Sequence, residues 1–270
     1  VYFTDEREKA AMQAQGIQIS YGDRLILDNL SCQLEPGSIT TIIGANGSGK
    51  STLLKAFTRI LPLDKGQIIL EGQAIAQMKT KEVAKKLALL PQVQSAAEGI
   101  TVSELVTYGR YPHLAALGHL SKDDRAKITW ALEATRLSAY HDQPVDALSG
   151  GQRQRVWIAM ALAQDTDWIF LDEPTTYLDL NHQLEVLELL AELNKTQGKT
   201  IVMVLHDLNL AARFSHRLLA MKDGHIAFEG AVSEVMTTET LRSIFSIEAQ
   251  ILPDPIYGTP VCLSYTLLKE

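Results

Sequence analysis

The residues best able to do chemistry fall in two short strings. Gly44-Ala45-Asn46-Gly47-Ser48-Gly49-Lys50-Ser51 fits the pattern G-x-x-x-x-G-K-[ST] and lies between an apolar run, Ser38 to Ile43, and a segment carrying Leu53, Leu54 and Phe57 at helical spacing. Glycines let the backbone curl until successive N–H groups converge on phosphate oxygens, and the positive end of the following helix strengthens the pull. Lys50 is then placed to charge-balance the β- and γ-phosphates, Ser51 to offer a hydroxyl to Mg²⁺, and Thr52 to add a phosphate hydrogen bond. The second string, Trp168-Ile169-Phe170-Leu171-Asp172-Glu173, reads as an apolar strand ending in two carboxylates. Asp172 is expected to hold the Mg²⁺ shell and Glu173 to draw a proton from an attacking water. Alone, such a strand end reads as a solvated turn; with a phosphate loop upstream it reads as the other half of an ATP site.

These strings need a scaffold, and the pattern around them supplies one. Roughly alternating segments from Gly16 to Tyr21 and Ile26 to Leu34 read as strands, followed by Ser38–Ile43, a helix from Lys50 to Arg59 ended by Leu61-Pro62, and a strand from Gly66 to Leu70. A mixed region runs from Thr80 to about Asp146 and holds a helix from Lys122 to Arg136, opened by Ser121 with Asp124 three residues on. Alternation then resumes as helix 152–163, strand 168–171, helix 181–195, strand 200–205 and helix 208–214, an order that implies a parallel sheet with helices on both faces. Around Asp223-Gly224 it changes to a hairpin, Leu218 to Met221 against His225 to Phe228, and the remainder, with Pro253, Pro255 and Pro260, is expected to be an irregular extension.

Composition sets the outer bounds. A chain of 270 residues, 46% hydrophobic, can bury a core of its own. With 25 Lys+Arg against 32 Asp+Glu the net charge is −7, which argues against a nucleic-acid partner. Cys32 and Cys262 have no neighbours at metal-ligand spacing, and His113, His119 and His141 match no ligand motif, so they read as polar surface. No stretch approaches the roughly 18 to 20 apolar residues of a membrane span, and Val1 to Lys9 mixes charges where a signal peptide has an apolar run. A soluble protein in a reducing cytoplasm is the expectation.

Leu148-Ser149-Gly150-Gly151-Gln152 opens a helix with serine and two glycines, a second anion-receptive entrance that one nucleotide cannot need in cis. Here the sequence resembles the ATP-binding cassette (ABC) family, whose signature is this LSGGQ string, and the resemblance runs from Tyr21 to about Glu229. It implies an α/β P-loop NTPase (RecA-like) core with an N-terminal antiparallel β subdomain and an inserted α-helical subdomain: a cassette over 14–240, the helical insert at about 92–148, a C-terminal extension over 241–270 and a tail over 1–13. In that family two cassettes face head to tail, so Ser149, Gly150, Gly151 and Gln152 inherit the closing of a γ-phosphate held by a second copy, and a homodimer is implied. By the same resemblance Tyr21 stacks on adenine, Gln92 reaches Mg²⁺ and the water, His206 contacts the γ-phosphate, and Asp179, in Thr176-Tyr177-Leu178-Asp179, couples the two sites. Ala45 stands where many members have proline, and Tyr177 where many have alanine.

Three passages, Gly99 to Val106 with Tyr108 to His113, Asp172 to His182, and Leu205 to Asn209, resemble more narrowly the ATPases of bacterial iron-siderophore importers, a subgroup that includes haem and vitamin B12 systems. That resemblance implies two membrane-spanning permease subunits as partners, a solute-binding protein at one remove, and a place on the cytoplasmic face of the membrane. Tyr111, Pro112 and Leu114 would face the permease. The rival reading is a soluble cassette ATPase that remodels or assembles other molecules; a metabolic kinase would leave the LSGGQ string without a task.

Overall fold

A computed structural model of the chain describes residues 11–114, 118–176 and 178–268. Tyr177 and residues 1–10 of the expected N-terminal tail over 1–13 lie outside the described residues. In chain order the strands are β1 (Met12–Tyr21), β2 (Arg24–Leu34), β3 (Ile39–Gly44), β4 (Lys65–Leu70), β5 (Gln73–Ala74), β6 (Leu87–Leu90), β7 (Trp168–Asp172), β8 (Thr200–Val204), β9 (Arg217–Lys222), β10 (His225–Ala231), β11 (Ile247–Pro253) and β12 (Pro260–Leu267). The helices are α1 (Lys50–Phe57), α2 (Thr80–Lys86), α3 (Val102–Thr107), α4 (Lys122–Ala134), α5 (Gly150–Ala163), α6 (Leu180–Gln197), α7 (Leu208–Phe214), α8 (Val232–Val235) and α9 (Thr238–Phe245). They form two compact units, one from the described residues up to Met78 together with those from Thr200 onward, the other from Lys79 to Lys199.

In the first unit β1 pairs antiparallel with β2 and β4, bringing Met12 opposite Leu34 and Leu70, all buried. Beside it β3 runs parallel to β8 and β9, with Ile42 opposite Val204 and Leu219. Every residue of β3 and β8 is buried, which is why these runs do not alternate and are apolar apart from Thr40, Thr41 and Thr200. Helix α1 lays the fully buried Leu53, Leu54 and Phe57 toward β3 and β8. The turn between β9 and β10 places Asp223 and Gly224 at φ of 48° and 81°, the left-handed pair that a tight two-residue hairpin demands.

The expectation of an irregular C-terminal stretch is corrected. Helix α9 leads into a hairpin of β11 and β12, in register from Ile247–Leu267 to Pro253–Pro260. The prolines that suggested irregularity end β11, begin β12 and occupy the turn between them, where no ladder hydrogen bond is needed from them. Asp254 and Thr259 close that turn, the Asp254 N–H donating to the Thr259 carbonyl at 2.7 Å. The hairpin is fastened to α7 by Asn209, whose amide exchanges two hydrogen bonds with the Cys262 backbone (2.8 and 3.2 Å), and by Arg213 stacked 3.9 Å over the Tyr257 ring.

In the second unit β6 runs parallel to β7, with Leu90 opposite Leu171. Strand β6 was hidden inside the mixed region because Leu-Ala-Leu-Leu is short and has no β-branched residue. Helices α3, α4 and α5 pack on one another. Ser121 caps α4 reciprocally with Asp124, as its spacing suggested. Buried Arg110 donates to Asp124 and to the Ala163 carbonyl, both at 2.8 Å, tying the start of α4 to the end of α5. The Ser121 hydroxyl, assisted by Arg110, holds the Asp124 carboxyl down at about 2. Gly109 passes so close to the Met160 carbonyl that a Cβ would overlap it. These contacts fix α5, and with it the loop at its N-terminus.

Candidate functional site

The phosphate loop leaves β3 at Gly44 and enters α1 at Lys50. Gly44 has φ of 152°, and a Cβ there would run into the Met221 carbonyl oxygen and lie 2.8 Å from Ser48 Oγ. Gly49 has φ of 100°, and its Cβ would stand 2.8 Å from a methyl of Leu27. Only glycine fits either place. The N-cap of α1 is Gly49, which brings no side-chain cap of its own, and such a helix entrance suits an outside acceptor. Lys50 is buried and its Nζ donates to the carbonyls of Gly44 and Ala45, both at 2.9 Å, so the ammonium curls back over the loop. Ser48 is 4% exposed and its hydroxyl has no hydrogen-bond partner among the described residues, an orphan that a phosphate oxygen would satisfy. Ala45, Asn46 and Gly47 are exposed, Ser51 half-buried and Thr52 buried.

Two further predicted residues lie in this unit. Tyr21 ends β1 and is half exposed. His206 follows β8 and is exposed; the cap of α7 is its neighbour Asp207, which accepts from the Leu210 N–H at 2.8 Å, so the histidine is not consumed as a cap.

The second unit holds the carboxylates and the signature. Asp172 ends β7 at 1% exposure. Glu173 sits at φ of 54°, a left-handed backbone that costs a non-glycine residue about 1 kcal/mol or more. Thr176 fixes its side chain, donating from Oγ1 to Glu173 Oε2 at 3.0 Å, and the same turn closes through a Thr176 N–H to Glu173 carbonyl bond. Gln154 in α5 donates to the Pro174 carbonyl at 3.0 Å, joining the signature helix to this turn. Gln92 lies just past β6, exposed.

Ser149 is the N-cap of α5 in a reciprocal box with Gln152: Ser149 Oγ accepts from the Gln152 N–H, and Gln152 Oε1 from the Ser149 N–H. Ser149 and Gly150 are exposed. Asp179 caps α6, accepting from the His182 N–H at 3.0 Å and lying 2.7 Å from His182 Nδ1, and these bonds hold its carboxyl below the ordinary carboxylate range. Thr176, Gln154 and His182 escaped the sequence reading. The signal for His182 was present as a histidine three residues after a helix-capping aspartate, whereas nothing in the string marks Gln154.

Tyr108 and Tyr111 stack at 4.9 Å and are largely exposed, while Pro112 and Leu114 are half-buried. Of the histidines read as polar surface, His113 bonds the Gln164 carbonyl at 2.8 Å, and burial presses its pKa down. His119 is exposed, and His141 lies 2.9 Å from Asp142.

For Mg²⁺ the donor chemistry fits. Ser51 hydroxyl, Asp172 carboxylate and Gln92 amide are hard oxygen donors, and a carboxylate as buried as Asp172 suits a cation-binding role.

A family profile described as ABC transporter matches residues 27–176. Among curated proteins, the iron(3+)-hydroxamate import ATP-binding protein FhuC of Bacillus subtilis (strain 168) is 54% identical over 260 residues, covering 96% of this chain and 97% of the relative. Among solved structures, an inward-facing metal-chelate type ABC transporter superposes with a TM-score of 0.80 at 27% identity, covering 94% of this chain and 98% of the other. A dimeric post-hydrolysis state of the ATP-binding cassette MJ0796, bound to ADP and Pi, follows at a TM-score of 0.71 and 29% identity, covering 82% and 98%. Among the described residues no helix is long and apolar enough to cross a membrane.

Proposed function

Starting from a chain that belongs to the ABC transporter family as one of its ATPases, we propose that it hydrolyses Mg-ATP as a homodimer to power ferric-siderophore import through a membrane permease pair. The geometry that carries the ATPase part is a phosphate loop built for an anion, with Gly44 and Gly49 in conformations only glycine takes and a buried Ser48 hydroxyl without a partner among the described residues. The cargo rests on the iron(3+)-hydroxamate relative that spans nearly the whole chain.

In this reading Tyr21 stacks on the adenine, and the loop N–H groups, Lys50 and Thr52 hold the phosphates. Bound at Ser51, Asp172 and Gln92, Mg²⁺ would neutralise charge on the β- and γ-phosphates. Glu173 takes a proton from water as its oxygen attacks the γ-phosphorus; the bond from phosphorus to the β,γ-bridging oxygen breaks, and ADP leaves with that electron pair. His206 steadies the γ-phosphate, while Ser149, Gly150, Gly151 and Gln152 of a second copy close over it and Asp179 links the two sites. ATP thereby favours the closed dimer and hydrolysis releases it, a shift that needs about 5.5 kcal/mol of differential affinity to run from mostly open to mostly closed. The segment 92–148, with Tyr111, Pro112 and Leu114, passes the motion to the permease at the cytoplasmic face, and a solute-binding protein delivers cargo on the other side.

The test is uptake of a radioiron-labelled hydroxamate siderophore in cells lacking their own ATPase subunit but keeping its permease. The chain is expected to restore uptake and to co-purify with a polytopic membrane protein, while Glu173→Gln restores none. Full ATP turnover without any membrane partner would favour a remodelling ATPase instead.

A further inference from the structure

The imidazole of His182 lies beside two motifs at once. On one side it meets Asp179: Nδ1 lies 2.7 Å from Oδ1, and the His182 backbone N–H reaches the same oxygen at 3.0 Å. The carboxyl is held below its usual range, so at neutral pH it is ionised and can only accept, which makes Nδ1 the donor. Asp179 is 68% exposed on its side chain; these two bonds from one residue, a turn further into α6, remove the rotamer freedom that exposure would otherwise leave it. On the other side the ring lies against the signature. A Cβ placed on Gly151 would stand 3.3 Å from His182 Cγ and 3.5 Å from both Cδ2 and Nδ1, tighter than an ordinary side-chain contact at the first of these. Gly150, one residue earlier, meets nothing within 4 Å. The ring therefore bounds the space beside the signature helix tip where a side chain on Gly151 would go, and that ring is the one that orients Asp179.

We propose that His182 is a positioning residue that fixes the signature tip at Gly151 and the Asp179 carboxylate relative to each other, so that the two loops meeting the second cassette close as one piece. This deepens the reading above and rests on it. Without the ring, Asp179 keeps its backbone cap but regains rotamers, and the signature tip loses its lateral stop. A misplacement of about 1 Å at a catalytic surface is enough to lower turnover substantially. ATP capture by the phosphate loop belongs to the other compact unit and is left alone.

The test compares His182→Ala and His182→Asn in the full chain. Asparagine keeps an N–H donor where Nδ1 stands but not the ring. For His182→Ala we expect kcat for ATP hydrolysis to fall about tenfold, with KM for Mg-ATP within about twofold and the melting temperature within about 3 °C of wild type. His182→Asn is expected to recover part of kcat. Each variant is also placed on the Glu173→Gln background and run on a sizing column in Mg-ATP. If Glu173→Gln alone stays monomeric, the sandwich reading fails and takes this proposal with it. If Glu173→Gln dimerises and His182→Ala keeps wild-type kcat, or if both His182 variants lose kcat and melting temperature in parallel, the sandwich stands and the role of His182 is overturned.

Discussion

The phosphate loop and the signature loop are both glycine-rich entrances to a helix, yet their glycines answer to different neighbours. At Gly44 the Met221 carbonyl and at Gly49 the Leu27 side chain leave no room for a Cβ, and both backbones are left-handed. The unit that holds this loop enforces its shape. Gly150 has open space where a Cβ would go, in a helix that alanine would favour by about 1 kcal/mol. Among the described residues no neighbour asks for glycine there, which fits the proposed approach of a second cassette. The first loop is a finished cradle; in the proposed homodimer the second is a lid whose complement belongs to the other copy.

Substitutions at the two loops and their supports put this contrast to the test. The largest effect is expected from Glu173→Gln, which keeps the shape and removes the base: kcat should fall about 10³-fold in a phosphate-release assay while ATP still binds. Gly44→Ala should then cost about 3 kcal/mol of folding stability in a denaturant melt, from overlap and strain at the cradle. Gly150→Ala is its counterpart, with stability within about 0.5 kcal/mol of wild type and kcat lower by about tenfold. Equal melting curves for these two glycine variants would erase the distinction between cradle and lid. Thr176→Val removes the hydroxyl on Glu173 Oε2, worth about 1 kcal/mol, and should lower kcat about fivefold while the melting temperature falls by no more than about 4 °C.

The smallest effect concerns the packing behind the lid. Asp124 titrates at about 2 instead of 3.8, so its contribution to stability is fully present above about pH 4 and fades as pH falls toward 2. Thermal melts between pH 2 and 5 should show that slope, and Asp124→Asn should flatten it.

Much of this protein could be read in order along the chain. The phosphate loop, the strand closing on Asp172-Glu173 and the Ser149 entrance are consecutive strings whose local form depends on neighbours a few residues away, so residue type and spacing sufficed to place them on a strand-to-helix turn, a strand end and a helix start. The Ser121–Asp124 box and the Asp223-Gly224 hairpin were legible for the same reason. The C-terminal hairpin was not, because its prolines break a strand or punctuate it depending on where pairing begins and ends, and pairing is a tertiary fact. Nor was β6, four residues whose strand character comes from lying beside β7.

What the sequence determined by itself is the inventory: which groups can bind phosphate, hold a cation or take a proton, and on which turns they stand. Only the tertiary structure decided how those groups are held. It set Thr176 on the Glu173 carboxylate, Gln154 on the Pro174 carbonyl, and one imidazole between Gly151 and Asp179. The division follows from range, since a local string fixes dihedrals and hydrogen bonds within a turn, whereas contact between α5 and the start of α6 depends on how a core packs, which no short stretch of residues encodes.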